Sequence, residues 1–363
     1  MRPEAIEAMM PYLAEQYANP SGSHRFARRA RQAIDEARDG VASVLGCQPG
    51  EVVFTGCGTE SDNMAIAGAV SRRGGHAVCS GAEHPAVLEV VEHLGGRVVG
   101  VDVAGTVELD ELADVLASEP DVAIVSVMAV NNEVGSITDL AAVAKVVRRH
   151  SPSALLHTDA VQAACWLDLR QVTPLVDLMS LSAHKFGGLK GVGILVERGG
   201  PQIDPLIIGG GQERERRSGT QNTAGIVAAA VALECSDRER DAEALRLRPL
   251  SEALVLGLQS QLDGVIETVA PDRKVAGSAH VCIAGVESEA LLYLLDEGNI
   301  AASAASACAS GAMEPSHVLA AMGIQRDLAV GALRMSLGYP TTEADIGRAI
   351  EVIVPAVRRL RSR

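Results

Sequence analysis

The residues best suited to chemistry lie in segment 177–188, where Ser182, His184 and Lys185 follow one another closely. The apolar residues before them predict a buried strand, and two glycines end it. A lysine shielded from water at a strand end has a depressed pKa, so its amine becomes nucleophilic toward a carbonyl. Such a lysine can carry an aldehyde cofactor such as pyridoxal phosphate as a Schiff base. For this segment alone, a surface lysine that caps a strand is the alternative.

Two glycine-rich turns suit an anion. A strand predicted at 52–55 enters Gly56-Cys57-Gly58-Thr59 and then a helix, so free backbone N–H groups and the Thr59 hydroxyl can meet a phosphate. The segment 209–222 has a similar composition, with Arg, Ser and Thr before a helix. Neither turn has a Walker or dinucleotide pattern. Taken singly, the first can be an ordinary turn and the second a flexible surface loop.

The alternation of strand and helix patterns predicts an α/β fold with a large, doubly wound, mostly parallel sheet. Residues 122–130 are almost wholly apolar, which is typical of a parallel strand covered on both faces. Ligands of such sheets gather beyond the carboxyl ends of the strands. Polar residues follow the predicted strands at these positions: Thr59, His84, Asn132, Asp159, Gln162, His184 and Lys185.

The length of 363 residues predicts two domains. Separate helices are expected at 224–233 and 237–262, the second crossing to a smaller domain. Shorter elements follow, including strands at 280–284 and 300–304 and a closing helix at 343–360. We therefore expect a large α/β domain at 8–244 and a smaller α+β domain at 245–363, with residues 1–7 joining the smaller one.

Composition limits the partners. The net charge of −14 argues against a general nucleic-acid or membrane-surface binder and favours simple solubility. No apolar run approaches the roughly 20 residues of a membrane span, and the start lacks an apolar signal core. The seven cysteines contain no Cys-x-x-Cys pair, so neither a disulfide framework nor a metal site is expected. A reducing cytoplasm is the expected location.

These motifs, in their order, resemble those of the pyridoxal-phosphate-dependent cysteine desulfurases of the NifS/IscS type, within the fold-type I, class V aminotransferase superfamily. The resemblance covers nearly the whole chain. It is carried by segments 58–63, 83–84, 130–135, 157–162, 182–185, 209–213, 217–220, 306–308, 314–319 and 334–338. It implies a sulfurtransferase that binds pyridoxal phosphate and acts as a homodimer.

The resemblance also implies roles around the cofactor ring. Lys185 would hold pyridoxal phosphate as a Schiff base and afterwards act as acid and base. Asp159 would pair with the pyridinium nitrogen, which keeps the ring an electron sink. Gln162 would hydrogen-bond the phenolic oxygen, and His84 would stack on the ring and move protons.

The remaining implied roles concern the phosphate and the substrate. The turn at Gly58 and Thr59 would bind the phosphate together with Ser182 and His184, joined by Thr220 of the second subunit. Asn132 and Arg334 would bind the α-carboxylate of L-cysteine, since the fork of an arginine suits a planar carboxylate.

Cys308 would be the nucleophile that takes sulfur from L-cysteine, leaving L-alanine and a persulfide. Its small-residue surroundings favour a mobile loop that carries sulfur to an acceptor protein. The acceptor would serve iron–sulfur cluster assembly, tRNA thiolation or DNA phosphorothioation. Cys57 is left open, and the other five cysteines are expected to be small hydrophobic residues.

Three alternatives stay open at this point. A selenocysteine lyase or another class V aminotransferase would share the cofactor site, although transamination needs no thiol. A non-catalytic sulfur-transfer scaffold is the third. The family's Asp-x-Ala-Ala-Thr-Thr-Pro segment has no counterpart in the printed sequence, which begins just beyond it, and this departure alone favours the scaffold. Ala183 and the pair Ala304-Ala305 also depart from the usual Gly and Ser-Gly.

Overall fold

The computed structural model describes residues 1–304 and 316–362. The chain divides into two compact units. The first comprises residues 1–99, 109–129 and 139–240, and the second comprises 100–108, 130–138 and 241–363. Residues 1–7, expected with the smaller domain, lie in the first unit. There the Arg2 amide donates to the carbonyl of Gly187 at 2.8 Å, and its guanidinium pairs with Glu239 at 2.6 Å. The domain limits at 244 and 245 stay a prediction.

Helices and strands alternate in the first unit. Its strands are β1 (Val52–Thr55), β2 (His76–Ser80), β3 (Arg97–Val99), β4 (Val122–Ser126), β5 (Leu155–Asp159), β6 (Leu178–Ser182) and β7 (Gly193–Glu197). Its helices are α1 (Pro3–Leu13), α2 (Arg25–Leu45), α3 (Gly58–Arg73), α4 (Pro85–His93), α5 (Leu109–Ser118), α6 (Leu140–His150), α7 (Leu169–Val172) and the start of α8 (Thr223–Gln259).

The seven strands form one mixed sheet in the order β1-β7-β6-β5-β4-β2-β3. Strands β3, β2, β4, β5 and β6 run parallel, whereas β7 is antiparallel to both of its neighbours. Every residue of β4, β5 and β6 is buried, as expected for strands covered on both faces. The predicted α/β class and mostly parallel sheet are therefore confirmed.

Small aliphatic side chains fill the space between α3 and the sheet. Met64, Ile66 and Ala69 of α3 belong to one buried cluster with Ile124 and Leu155 of the strands. Their packing fixes the start of α3 against the carboxyl ends of the strands.

The elements of the second unit that follow α8 are β8 (Val265–Glu267), β9 (Ser278–Ile283), α9 (Ser288–Glu297), α10 (His317–Ala321), α11 (Arg326–Ala329), β10 (Ala332–Ser336) and α12 (Glu343–Arg361). The three strands form an antiparallel sheet in the order β10-β9-β8. Helix α12 begins with a reciprocal capping box between Thr342 and Asp345, which satisfies N–H groups that the first turn leaves unpaired.

Several element predictions were wrong. The helices expected at 224–233 and 237–262 are one helix, because residues 234–241 contain neither Gly nor Pro and an Asp237–Arg240 pair of 2.6 Å supports the turn. No strand forms at 300–304, where Ser303 makes only an isolated bridge to Arg334. The short strand β8 was not predicted. No helix within residues 1–304 and 316–362 is long and apolar enough to cross a membrane.

Candidate active site

Lys185 lies in a tight 3-10 turn, Ala183–Lys185, directly after β6. The carbonyl of Ala183 accepts from the amides of Phe186 at 3.2 Å and Gly188 at 2.8 Å, which closes the turn. Phe186 is only 2% exposed and anchors the turn in the core. Gly187 has φ of +88°, a left-handed conformation that favours glycine. The lysine therefore projects from a rigidly held backbone at the carboxyl end of the sheet.

The shielding of Lys185 expected from the sequence is not found in the described chain. Lys185 and His184 are both exposed, because the turn extends past the last buried residue of β6. The Lys185 charge nevertheless lowers the pKa of Asp159, which indicates that the two charged groups act on one another.

The start of α3 and the end of β6 form a close cradle. The Gly58 amide donates to Ser182 Oγ at 3.4 Å, and Ser182 Oγ lies 2.9 Å from His184 Nδ1. A Cβ added at Gly58 would stand 2.8 Å from Val161 Cγ2, so only glycine leaves this space. The hydroxyl of Thr59 makes no hydrogen bond within the described residues. Backbone N–H groups, hydroxyls and an imidazole thus meet at a helix N-terminus, a donor set that fits a phosphate group.

Asp159 ends β5 beside this cradle and is 4% exposed. Its Oδ1 accepts from the amide of Val161 at 2.8 Å. Burial raises its pKa to about 6, while the Val161 hydrogen bond and the Lys185 charge oppose that rise. A buried carboxylate needs a cationic partner, and a protonated pyridine nitrogen would supply one. The side-chain amide of Gln162 makes no hydrogen bond within residues 1–304 and 316–362, so it can hydrogen-bond a ligand.

His84 caps α4, with its Nδ1 accepting from the amide of Ala86 at 3.1 Å. The cap fixes the imidazole plane and, in the neutral ring, places the proton on Nε2. Partial burial and the charges of Lys185 and Lys190 lower the pKa of His184. His184 is therefore expected to be neutral at physiological pH.

Asn132 and Arg334, the two predicted substrate residues, lie in the second unit and contact each other. Arg334 Nη1 donates to the carbonyl of Asn132 at 3.1 Å. The backbone of Arg334 exchanges two hydrogen bonds with Ser303, at 2.7 and 3.1 Å. The side-chain oxygen of Asn132 is buried and has no partner among the described residues. The guanidinium is thus held in place while the amide keeps capacity for a ligand.

Thr220 lies in the first unit, is exposed and makes no hydrogen bond within the described part of the chain. Nearby, Arg217 forms a bidentate pair with Glu60 at 2.7 and 3.2 Å, which ties this loop to the first turn of α3. Cys308 lies outside the described residues, as do Ser306, Glu314 and Pro315.

Sequence reasoning missed a group of buried polar residues behind Asp159. They are Asp62 of α3, Glu83 before His84, Ser126 of β4, His157 of β5 and Ser180 of β6, all at most 1% exposed. The sequence signal that could have revealed these residues is a polar residue inside an otherwise apolar strand. Within the described residues, no group of three or more His, Cys, Asp or Glu side chains could hold a metal ion.

The sequence profile of the class-V aminotransferases matches residues 1–348. The IscS-like cysteine desulfurase of Mycobacterium tuberculosis is 42% identical over 99% of this chain and 94% of its own length. The cysteine desulfurase IscS of Dictyoglomus turgidum is 38% identical over 100% of this chain and 93% of its own. A solved structure of a NifS-like protein superposes with a TM-score of 0.91 at 35% identity, covering 99% of this chain and 96% of that one.

These similarities extend over essentially the full length of the chain, so they concern the whole fold rather than one motif. Members of this family use pyridoxal phosphate, and the donor set around Gly58, Ser182 and Asp159 fits that cofactor. The protein therefore belongs to the class-V aminotransferase family and, within it, to the cysteine desulfurases of the NifS/IscS type.

Proposed function

We propose that the protein is a pyridoxal-phosphate-dependent L-cysteine desulfurase that leaves a persulfide on Cys308. The supporting observation is the arrangement at the carboxyl end of the large sheet. There a rigid Lys185 turn, a buried Asp159 carboxyl and the Gly58–Ser182 cradle belong to one unit. This is the donor set that an aldehyde cofactor with a phosphate and a pyridine nitrogen requires.

The contacts support a set of cofactor-binding roles. The amides at the start of α3, with Thr59, Ser182 and His184, would hold the phosphate. Asp159 would accept a hydrogen bond from the protonated pyridine nitrogen, and Gln162 would donate to the phenolic oxygen. When bound, pyridoxal phosphate supplies an electron sink that permits bonds at Cα and Cβ of the amino acid to break.

The residues that move protons are Lys185 and His84. The Lys185 amine would take and return a proton at the substrate Cα. His84 is held by its cap on α4, so its ring keeps one orientation. The fixed imidazole offers Nε2 as a second proton carrier.

The substrate role stays with Asn132 and Arg334, which would bind the α-carboxylate of L-cysteine. The Cys308 thiolate would then take the sulfur atom. The balanced reaction is L-cysteine plus the Cys308 thiol giving L-alanine plus a Cys308 persulfide, with no external oxidant or reductant. The persulfide would pass its outer sulfur to an acceptor protein of iron–sulfur assembly, tRNA thiolation or DNA phosphorothioation.

We further propose that the active form is a cytoplasmic homodimer in which Thr220 reaches the phosphate bound by the partner subunit. Two features support this. Thr220 is exposed and without a hydrogen bond in the described chain, and Ile208, just before the glycine run, is 85% exposed. An exposed apolar side chain beside a ligand-binding loop suits a subunit interface.

The test compares wild-type protein with Cys308→Ala, Lys185→Ala and the matched control Cys282→Ala, whose thiol lies in the buried core of β9. Alanine release from L-cysteine, and sulfide release in the presence of an added thiol that reduces the persulfide, are measured beside the visible spectrum of bound cofactor. We expect loss of both products in Cys308→Ala with the spectrum kept, and loss of both products and spectrum in Lys185→Ala. Alanine release that survives in Cys308→Ala would contradict the assigned nucleophile.

The same assay separates the alternatives. A selenocysteine lyase would release selenide from selenocysteine and leave L-cysteine untouched. A scaffold would develop no visible band after incubation with pyridoxal phosphate.

A further inference from the structure

His157 lies at the centre of the large sheet with both ring nitrogens bonded to hydroxyls. Its Nδ1 lies 2.8 Å from Ser126 Oγ on β4, and its Nε2 lies 2.9 Å from Ser180 Oγ on β6. The residue is fully buried, and burial lowers its pKa to about 3, so the ring is neutral. One nitrogen therefore donates and the other accepts, and the chain of hydrogen bonds has a direction.

Asp62 lies at the Ser180 end of this series of hydrogen bonds. It is 1% exposed, and its Oδ1 lies 3.7 Å from His157 Nε2, too far for a hydrogen bond. That oxygen has no hydrogen-bond partner among the described residues, whereas an interaction with Ser180 favours the ionised carboxyl. Burying a carboxylate with one oxygen unsatisfied costs free energy. A neutral acid would place only an uncharged carbonyl oxygen there, and leaving that oxygen without a partner costs less.

The surrounding charges also disfavour an Asp62 anion. The acids that face it are Asp159 of β5, Glu83 after β2 and the thiol of Cys57 at the start of α3, and each raises its pKa. The largest cause of that raised pKa is burial itself. The cation Lys185 acts on Asp159. Since Asp62, Asp159 and Glu83 are all buried, and the charges of Asp159 and Glu83 both raise the pKa of Asp62, the three carboxyls cannot all be ionised.

We propose that Asp62 is a positioning residue held as a neutral acid. Its hydroxyl donates to Ser180 and directs the hydrogen-bond relay Asp62–Ser180–His157–Ser126. Of the two aspartates, Asp159 and not Asp62 then carries the negative charge toward the cofactor site. In this direction Ser180 donates to His157 Nε2, and Nδ1–H donates to Ser126. An ionised Asp62 would reverse all three bonds. The proposal rests on the proposed function, because the charge on Asp159 matters through the pyridine nitrogen with which it would pair.

The test uses Asp62→Asn, which keeps shape and a donor toward Ser180 but cannot ionise. We expect the affinity for pyridoxal phosphate to stay within about threefold of wild type. The pH at which the visible absorption band of the bound cofactor is half changed, its midpoint, should also stay the same. The midpoint would fall by about one unit if the variant had removed a real negative charge from the site, and that outcome would overturn the proposal. Asp159→Asn is the comparison variant, and its midpoint or cofactor binding is expected to change.

A second measurement does not depend on the binding of the cofactor. Infrared spectra of protein labelled with [¹³C]aspartate are recorded at pH 8, above the value of about 6 for Asp159. We expect a band of a neutral aspartic acid, and we expect Asp62→Asn to remove it. A spectrum of carboxylates alone would refute the relay. Absence of the visible band in wild type, with the neutral-acid band present, would instead count against the proposed function.

Discussion

Arg38 Nη1 lies 2.8 Å from Oε2 of Glu213, and both residues are at most 5% exposed. Arg38 also donates to the carbonyl of Val52 at 2.7 Å and lies over the ring of Phe54. Glu213 begins three consecutive non-glycine residues with positive φ, at 48°, 58° and 69°. Such backbone is strained and persists only where surrounding contacts hold it. The ion pair therefore shapes the loop that presents Arg217 and Thr220.

Breaking this pair should destabilise the protein strongly. Arg38→Met keeps much of the apolar stem but leaves the Glu213 carboxylate buried without its cation, which costs about 3–5 kcal/mol. Urea unfolding of the purified protein measures the loss. The control is Arg72→Met, whose 3.4 Å pair with Asp204 is exposed on both sides. The control should change the free energy of unfolding by at most about 1 kcal/mol. Equal stability of the two variants would contradict this role for Arg38.

The distances along the chain explain what the sequence could predict. The Lys185 turn and the glycine turn at 56–59 each depend on residues that are neighbours in sequence, so their local pattern was readable, whereas the contact between Gly58 and Ser182 joins residues 124 positions apart. Arg38 and Glu213 are 175 residues apart, and His157 and Asp62 are 95 apart. Pairing over such separations is decided by sheet order and helix packing, which a single sequence does not reveal. The predicted interruption of helix α8 at 234–236 was wrong for a different reason, because a high density of charged residues does not by itself end a helix.

Gly58 supports a second prediction, on cofactor affinity. In Gly58→Ala the new methyl group would meet Val161 Cγ2 at 2.8 Å and Ser182 Cβ at 3.2 Å, closer than packed side chains allow. The start of α3 must then move away from Ser182. We expect the dissociation constant for pyridoxal phosphate to rise about tenfold or more, measured by absorbance titration of the cofactor-free protein.

The control for this variant is Gly347→Ala in α12, where an added Cβ meets no atom within 4 Å. It should leave the cofactor affinity unchanged and stabilise the fold by about 0.4–1 kcal/mol, since alanine favours a helix. If the affinity is unchanged in Gly58→Ala as well, the cradle does not bind the phosphate of the cofactor.

Arg334 supports a third prediction, on substrate binding. Arg334→Lys keeps the positive charge but loses the planar fork that can hold both oxygens of a carboxylate. We expect the KM for L-cysteine to rise about tenfold, corresponding to about 1.4 kcal/mol, with the visible spectrum unchanged. Arg348→Lys on α12, with the arginine side chain 57% exposed, is the matched control and should behave as wild type. A decrease in kcat at constant KM would assign Arg334 to another step.

Glu83 supports a fourth prediction, on pH dependence. It is fully buried, and its Oε1 accepts from Ser80 Oγ at 2.7 Å and the Met128 amide at 2.8 Å. Burial raises its pKa from 4.5 to about 8, and those two hydrogen bonds oppose the rise. Between these values the folded protein binds a proton that the unfolded chain has lost. Its contribution to stability is therefore complete below pH 4.5 and declines as the pH rises through 8.

The variant Glu83→Gln keeps an oxygen acceptor for Ser80 and Met128 but cannot titrate. The free energy of unfolding of wild type should fall from pH 6 to 8 more steeply than that of the variant, by up to about 1.4 kcal/mol per pH unit. Urea unfolding across this range measures both slopes, and Glu89→Gln, at an exposed position on α4, should keep the wild-type slope. Because Asp62 and Asp159 are the same in both proteins, the difference between the slopes isolates Glu83. Parallel profiles would mean that Glu83 is already ionised in the folded protein.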